Sequence, residues 1–176
     1  MMMTNFIFLN MKTINDYIIE KFKINSKSIN KNQYSCQPEN TEELCKILEE
    51  RLEKDKDADL NDIDVSKITD MSMLFSEPEK TSLDPHNIKI DQWNVSNVKD
   101  MSEMFYNCHN FNCNISDWDI SNVEMMNYTF YGCENFDCDL SSWNVSNKVK
   151  RWNNVFGGKC GIKEEHKPKF NWKNVK

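Results

Sequence analysis

Trp93, Trp118 and Trp143 stand 25 residues apart. One sentence recurs around them. It reads WNVSNVKDMSEMFYNCHNFNCNISD from Trp93 and WDISNVEMMNYTFYGCENFDCDLSS from Trp118, and a third copy opens WNVSN and decays into KVKRWNNVFGG. Self-similarity at a fixed period of about 20–50 residues marks a chain whose units bury their apolar sides only by stacking on one another. The period extends back beyond the tryptophans. ADLNDIDVSKITDMSMLF, residues 58–75, aligns with CNISDWDISNVEMMNYTF, residues 113–130, with Ile63 in the tryptophan place and Leu60 in the place of Ile115. Ile63 lies 30 residues before Trp93, so this first copy carries five extra residues. They fall in SEPEKTSLDPHN, where Pro78 and Pro85 mark a loop. Phe130 to Phe156 is 26 residues, which puts one extra residue near Lys148, and the pattern ends after Gly157 and Gly158.

Within one copy two local patterns stand out. In FNCNISDW, residues 111–118, Cys113 and Ile115 alternate with Asn112, Asn114 and Ser116, the period of a strand with one buried face. In SNVKDMSEMF, Val98, Met101 and Phe105 stand at i, i+3 and i+7, the spacing of a short helical turn, with Ser96 and Ser121 where an N-cap belongs. The sequence therefore predicts an α/β chain: a leucine-rich-repeat-like solenoid of about four 25-residue coils, each a short strand plus a short helical turn, behind an N-terminal capping helix. Successive strands are expected to form a parallel sheet. Trp93, Trp118 and Trp143 are expected to be corner posts of the core.

The flanks divide the chain further. Ile14, Tyr17, Ile18 and Phe22 have helical spacing over residues 11–24, so 1–37 reads as an amphipathic helix and linker. Residues 38–57 read as the capping helix: Asn40 and Glu43 form a capping-box pattern, Leu44, Ile47, Leu48 and Leu52 form one apolar stripe, and Glu50 with Lys54 offers an i,i+4 pair. Residues 58–158 are the repeats. Residues 159–176 are a Lys-rich cap or tail ending in Phe170, Trp172 and Val175.

The phrases WNVSNVKDMSEMFYNCHNFNCNIS and WDISNVEMMNYTFYGCENFDCDLS resemble the BspA-type leucine-rich-repeat surface proteins, also known as a domain of unknown function in mycoplasma lipoproteins. That family's pattern is close to W-D-V-S-N-V-T-D-M-S-x-M-F-x-x-C-x-x-F-N-x-D-L-S, and the resemblance covers residues 58–158. The front end resembles architectures found in gut bacteria and their phages. The resemblance implies a non-enzymatic binding or adhesion scaffold and carries over no catalytic residue.

Composition narrows the partners. A formal net charge of -6 disfavours nucleic acid, which needs a basic surface. No stretch approaches the roughly 20 apolar residues that span a bilayer, and no secretory leader is recognisable, so a cytoplasmic or virion-associated protein is expected rather than one displayed on a cell. The sequence holds no phosphate loop, G-x-S-x-G or H-E-x-x-H, so neither an enzyme nor a cofactor is expected. His86, His109 and His166 share no motif and read as loop histidines. Cys108 and Cys133 are 25 apart, as are Cys113 and Cys138, which leaves three readings open: a zinc site, a disulfide within a column, or a ladder of buried thiols. Asn97, Asn122 and Asn147 form another column, suited to satisfying backbone groups between coils.

The candidate ligand surface is the set of outward positions that alternate with the core. It comprises Asp59 and Asn61, Lys89 and Asp91, Asn112, Asn114 and Ser116, and Asp137, Asp139 and Ser141. The strip is polar, amide-rich and acidic, and is expected to bind a protein partner through the open face of the sheet. The alternative is a structural component of a surface or phage assembly, associating with its own kind through the coil ends; an extracellular adhesin is a further possibility.

Overall fold

In the computed structural model of this chain the described residues are 34–76, 85 and 87–169. The helix expected over 11–24 and the apolar residues Phe170, Trp172 and Val175 lie outside them. The chain divides into two compact units after Tyr34, and the second holds every other described residue.

That unit opens with helix α1, Thr41–Lys54. Asn40 is its N-cap: the side chain accepts from the Glu43 N–H at 3.0 Å, while the Glu43 carboxylate accepts from the Glu39 N–H at 2.8 Å. The first contact satisfies one of the free N–H groups at the helix start, and the second ties the residue before the cap to the first turn, one position earlier than a capping box would. Leu44, Leu48 and Leu52 are buried in the common core. The i,i+4 ion pair on this helix joins Glu42 to Lys46, not Glu50 to Lys54. Around α1 the chain is tied to the first repeat. Ser35 N–H donates to Asp62 O, Asp64 N–H to Cys36 O, and Thr41 Oγ1 to Asp70 O, and Arg51 pairs with Asp62 at 2.9 Å.

The repeats start at residues 58, 88, 113 and 138 and stack in register. Equivalent positions form continuous buried columns: Leu60, Ile90, Ile115 and Leu140; Ile63, Trp93, Trp118 and Trp143; Phe75, Phe105 and Phe130, extended by half-buried Phe156. The phenylalanine rings lie nearly parallel, with centroids 5.4, 5.6 and 5.7 Å apart in turn. Each tryptophan indole N–H reaches back one coil, Trp93 to Leu60 O at 2.9 Å, Trp118 to Ile90 O at 3.1 Å and Trp143 to Ile115 O at 3.1 Å. Asn97 and Asn122 likewise donate to Ser66 O and Ser96 O, both at 2.7 Å.

The local structure of each coil corrects the α/β expectation. Among the described residues, α1 and a 3-10 turn at Glu164–His166 are the only helical elements, and no strand or sheet forms. Pairing is confined to isolated parallel bridges, such as Asp70 with Asp100 and Asp100 with Met125. The leucine-rich-repeat-like solenoid of strands and helical turns is therefore not the architecture of this chain. Each coil is instead a succession of tight turns. In the second, Trp93, Val98, Met104, Cys108 and Phe111 each donate an N–H to the carbonyl three residues earlier.

The expected helical turn is broken by a left-handed residue at one equivalent position in every coil: Met73, Glu103, Tyr128 and Asn154, with φ of 58, 58, 55 and 50°. A second such column holds Asn107, Gly132 and Gly158. A right-handed helix cannot continue through these residues. The freed N–H groups turn to the next coil. Met101, Glu103, Phe105 and Asn107 donate to Met125, Asn127, Thr129 and Tyr131 carbonyls at 2.8 to 2.9 Å, and Met126, Tyr128, Phe130 and Gly132 repeat the pattern on the fourth coil. Nor does Ser96 or Ser121 cap a helix. Their N–H groups are taken by the side chains of Asn94 and Asp119, at 3.2 and 3.0 Å. Such Asx turns compete with helix formation.

The predicted strand fails for a related reason. Residues 111–115 and 136–140 form no ladder, because side chains stand between the backbones. The Asp137 N–H goes to Asn112 Oδ1 at 3.2 Å, and Cys138 Sγ lies 3.4 Å from Asn114 Oδ1. The coils are thus joined by backbone hydrogen bonds where a helical turn was expected; where a strand was expected, the first two are joined by the Leu60 N–H to Lys89 O and Lys89 N–H to Ala58 O bonds, and the third and fourth by side chains.

Candidate functional site

Because no sheet forms, the strip of outward residues is a file of side chains at the coil edges, and its parts have different duties. At the first two coils the residues bind one another. Asn61 Nδ2 donates to Asp91 Oδ1 at 2.9 Å, Asn61 Oδ1 accepts from Gln92 N–H at 2.9 Å, and Lys89 lies 3.5 Å from Asp59. Asp59, Asn61, Lys89 and Asp91 are therefore clamps between coils, worth little individually at an exposed surface.

At the third and fourth coils the strip opens. Asn112, Cys113, Asn114, Ser116, Cys138 and Asp139 line a cleft of about 410 Å³. Four of these were expected on the strip; the two cysteines were expected in the core. Cys113 is half-buried and Cys138 buried, and burial raises both thiols above their ordinary range. Internal hydrogen bonds orient the polar groups. Asn112 Oδ1 holds Asp137 N–H, Asn114 Oδ1 holds Ser116 N–H at 3.2 Å, and Asp139 Oδ1 holds Ser141 N–H at 2.9 Å. The Ser141 contacts keep the Asp139 carboxyl below its usual range. Both asparagine NH₂ groups have no hydrogen-bond partner among the described residues, and they share one rim with the anionic Asp139 carboxylate. Ser141 itself is outside the cleft.

Asp137 is withdrawn from the strip by residues that sequence reasoning did not connect to it. Lys163 Nζ lies 2.5 Å from Asp137 Oδ2, and the Lys163 N–H and His166 Nδ1 contact Oδ1 at 3.2 and 2.8 Å. The lysine hydrogen bond leads these contacts in holding the carboxyl down to about 2. The folded value lies below the unfolded one of about 3.9. Its contribution to stability is thus complete above about pH 4 and is lost as pH falls towards 2. Lys163→Met is expected to lower the urea midpoint at pH 6 and to leave it unchanged near pH 2, in equilibrium unfolding followed across that range. His166 is thereby a partner of Asp137, while His109 Nδ1 contacts Gly132 O at 2.9 Å.

The other cysteine column is internal. Cys108 and Cys133 are buried, and their thiols donate to Phe75 O and Phe105 O, both at 3.0 Å. Burial drives the Cys133 thiol strongly upward. All seven cysteines are free thiols, and among the described residues no group of three or more His, Cys, Asp or Glu is placed to hold a metal ion. No described helix is long and apolar enough to cross a membrane.

No curated protein and no solved structure matches the chain. A family model described as Mycoplasma protein of unknown function, DUF285, matches residues 42–172, from α1 through the last coil and beyond, and since this is well over half of the chain, the protein belongs to that family.

Proposed function

We propose that the protein is a non-enzymatic interaction module, and that it engages a protein partner through the cleft formed by Asn112, Asn114, Ser116 and Asp139. The observation that carries this reading is the division of labour along the strip: the first two coils use their outward groups on one another, whereas the third and fourth present two amide NH₂ groups and a carboxylate on a common rim. Paired amide donors beside an acceptor match the alternating carbonyl and N–H groups of a polypeptide. The resemblance to BspA-type surface proteins supports a binding role in the same direction.

The test exchanges what the cleft offers while preserving its internal hydrogen bonds. In the triple variant Asn112→Asp, Asn114→Asp, Asp139→Asn each side chain keeps the oxygen that accepts from a backbone N–H. Exposed substitutions of this kind are expected to change stability by less than about 0.5 kcal/mol each. Proteins crosslinked to the wild-type chain in a host lysate and identified by mass spectrometry should be lost from the variant. Retention of the same set would mean that the cleft is not the contact surface.

A further inference from the structure

The coil-to-coil hydrogen bonds have a direction, and this sets what can occupy the far end of the stack. Met71, Met73 and Phe75 donate forward to Asp100, Ser102 and Met104; Met101, Glu103, Phe105 and Asn107 donate forward to the third coil; Met126, Tyr128, Phe130 and Gly132 donate forward to the fourth. The equivalent donors of the fourth coil include Asn154, Phe156 and Gly158. Their N–H groups have no partner among the described residues. The phenylalanine column ends at the same place: Phe156 stacks on Phe130 at 5.7 Å and is only half-buried. Beside it lies a groove of about 760 Å³, lined by Asn154, Phe156, Glu164, Glu165 and Lys167 among others.

We propose that this edge is a docking site for an extended segment of a partner protein that presents alternate backbone carbonyls, with an aromatic side chain in register with Phe156. The contact would continue an interface the molecule already makes three times, and it is independent of the cleft at residues 112–139. Its chemistry disfavours a second copy. Two such edges facing each other would oppose donor to donor. The complementary carbonyl side of the stack is taken in part: Asp70 O accepts from Thr41 at the start of α1, where the α1 leucines join the core. Open backbone edges recruit extended segments by adding a strand-like element. The bordering Lys167, whose ammonium lies 6.0 Å from the Phe156 ring centroid, is typical of an edge guarded against indiscriminate pairing.

The test uses the full chain and a fluorescein-labelled peptide EMMNYTFYG, the wording of residues 124–132, which pairs with such an edge inside the molecule. Anisotropy should show saturable binding, weakened at least tenfold when the peptide's phenylalanine is replaced by alanine or when the chain carries Phe156→Ala. Because that variant also removes the stacking of Phe156 on Phe130, amide hydrogen exchange supplies a second readout: in the wild-type chain the peptide should slow exchange at Asn154, Phe156 and Gly158. Absence of binding would overturn the proposal. So would protection of those three amides in the free chain, at all concentrations if the chain's own segment covers the edge, or only where sedimentation shows a dimer if a second copy does.

Discussion

Trp118→Ala is expected to destabilise the protein by about 3–5 kcal/mol, measured as the shift in equilibrium unfolding by urea. The side chain is 5% exposed and occupies the middle of its column, between Trp93 and Trp143. Its loss also removes a hydrogen bond that is shared in an unusual way. Ile90 O accepts from the Trp93 backbone N–H at 3.1 Å and from the Trp118 indole at 3.1 Å, so both of its lone pairs are in use. The same double acceptance occurs at Leu60 O and Ile115 O. The tryptophan therefore fills the corner and ties its coil to the one before. Trp118→Phe separates the two contributions. It keeps most of the apolar volume and leaves one buried lone pair unfilled, so its cost should be about 1–2 kcal/mol. If alanine were as well tolerated as phenylalanine, the column would not support the core.

Which parts of this molecule could be read from the sequence follows from which signals are specific to one backbone. The columns were legible because a 25-residue period fixes which residues meet, whatever the path between them, and buried Trp118, Phe105 and Ile115 follow from it. α1 was legible because Asn40 and Glu43 carry chemistry that only a helix start uses. The backbone within a coil was not. Val98, Met101 and Phe105 at i, i+3 and i+7 fit a helix, but successive turns return the chain to the same side at the same spacing. The residue that decides between them is Glu103 with φ 58°, in a column where its equivalents are Met73, Tyr128 and Asn154. Left-handed geometry is signalled by glycine or asparagine, and three of these four positions carry neither. Alternation in FNCNISDW was equally ambiguous, because Asn112 Oδ1 accepts from the Asp137 N–H of the next coil, a donor that a strand ladder would have taken.

The candidate site was legible as a set of outward positions but not as a working surface. The repeat makes Asn61, Asn112 and Asp137 look alike. Their fates differ because of their partners: Asn61 meets Asp91, its equivalent one coil on, whereas Asp137 is taken by Lys163 and His166, which lie beyond the last recognisable copy. Cys113 and Cys138 were assigned inward by alternation. Cys138 does join the buried core and Cys113 packs against it, while both also line the cleft.

Phe130→Ala is the second substitution expected to cost about 3–5 kcal/mol, and it tests whether the stack behaves as a chain of coupled neighbours. Phe130 is 1% exposed and touches rings on three coils: Phe105 at 5.6 Å, Phe156 at 5.7 Å, Phe136 at 4.5 Å and Trp143 at 6.2 Å. Parallel aromatic contacts contribute about 0.5–1.5 kcal/mol each beyond burial. A double-mutant cycle with Phe105→Ala should therefore give a coupling energy in that range, measured by urea unfolding of the four proteins. A cycle between Phe75→Ala and Phe130→Ala, two rings that contact Phe105 from opposite sides, should give a smaller value, because each coil meets only its neighbours. Equal coupling in both cycles would indicate that the core responds as one unit. Coupling confined to adjacent rings would show that stability is passed from coil to coil, so that the last coil, with Phe156 stacked on one face only, is the least secured and gains most from a partner ring.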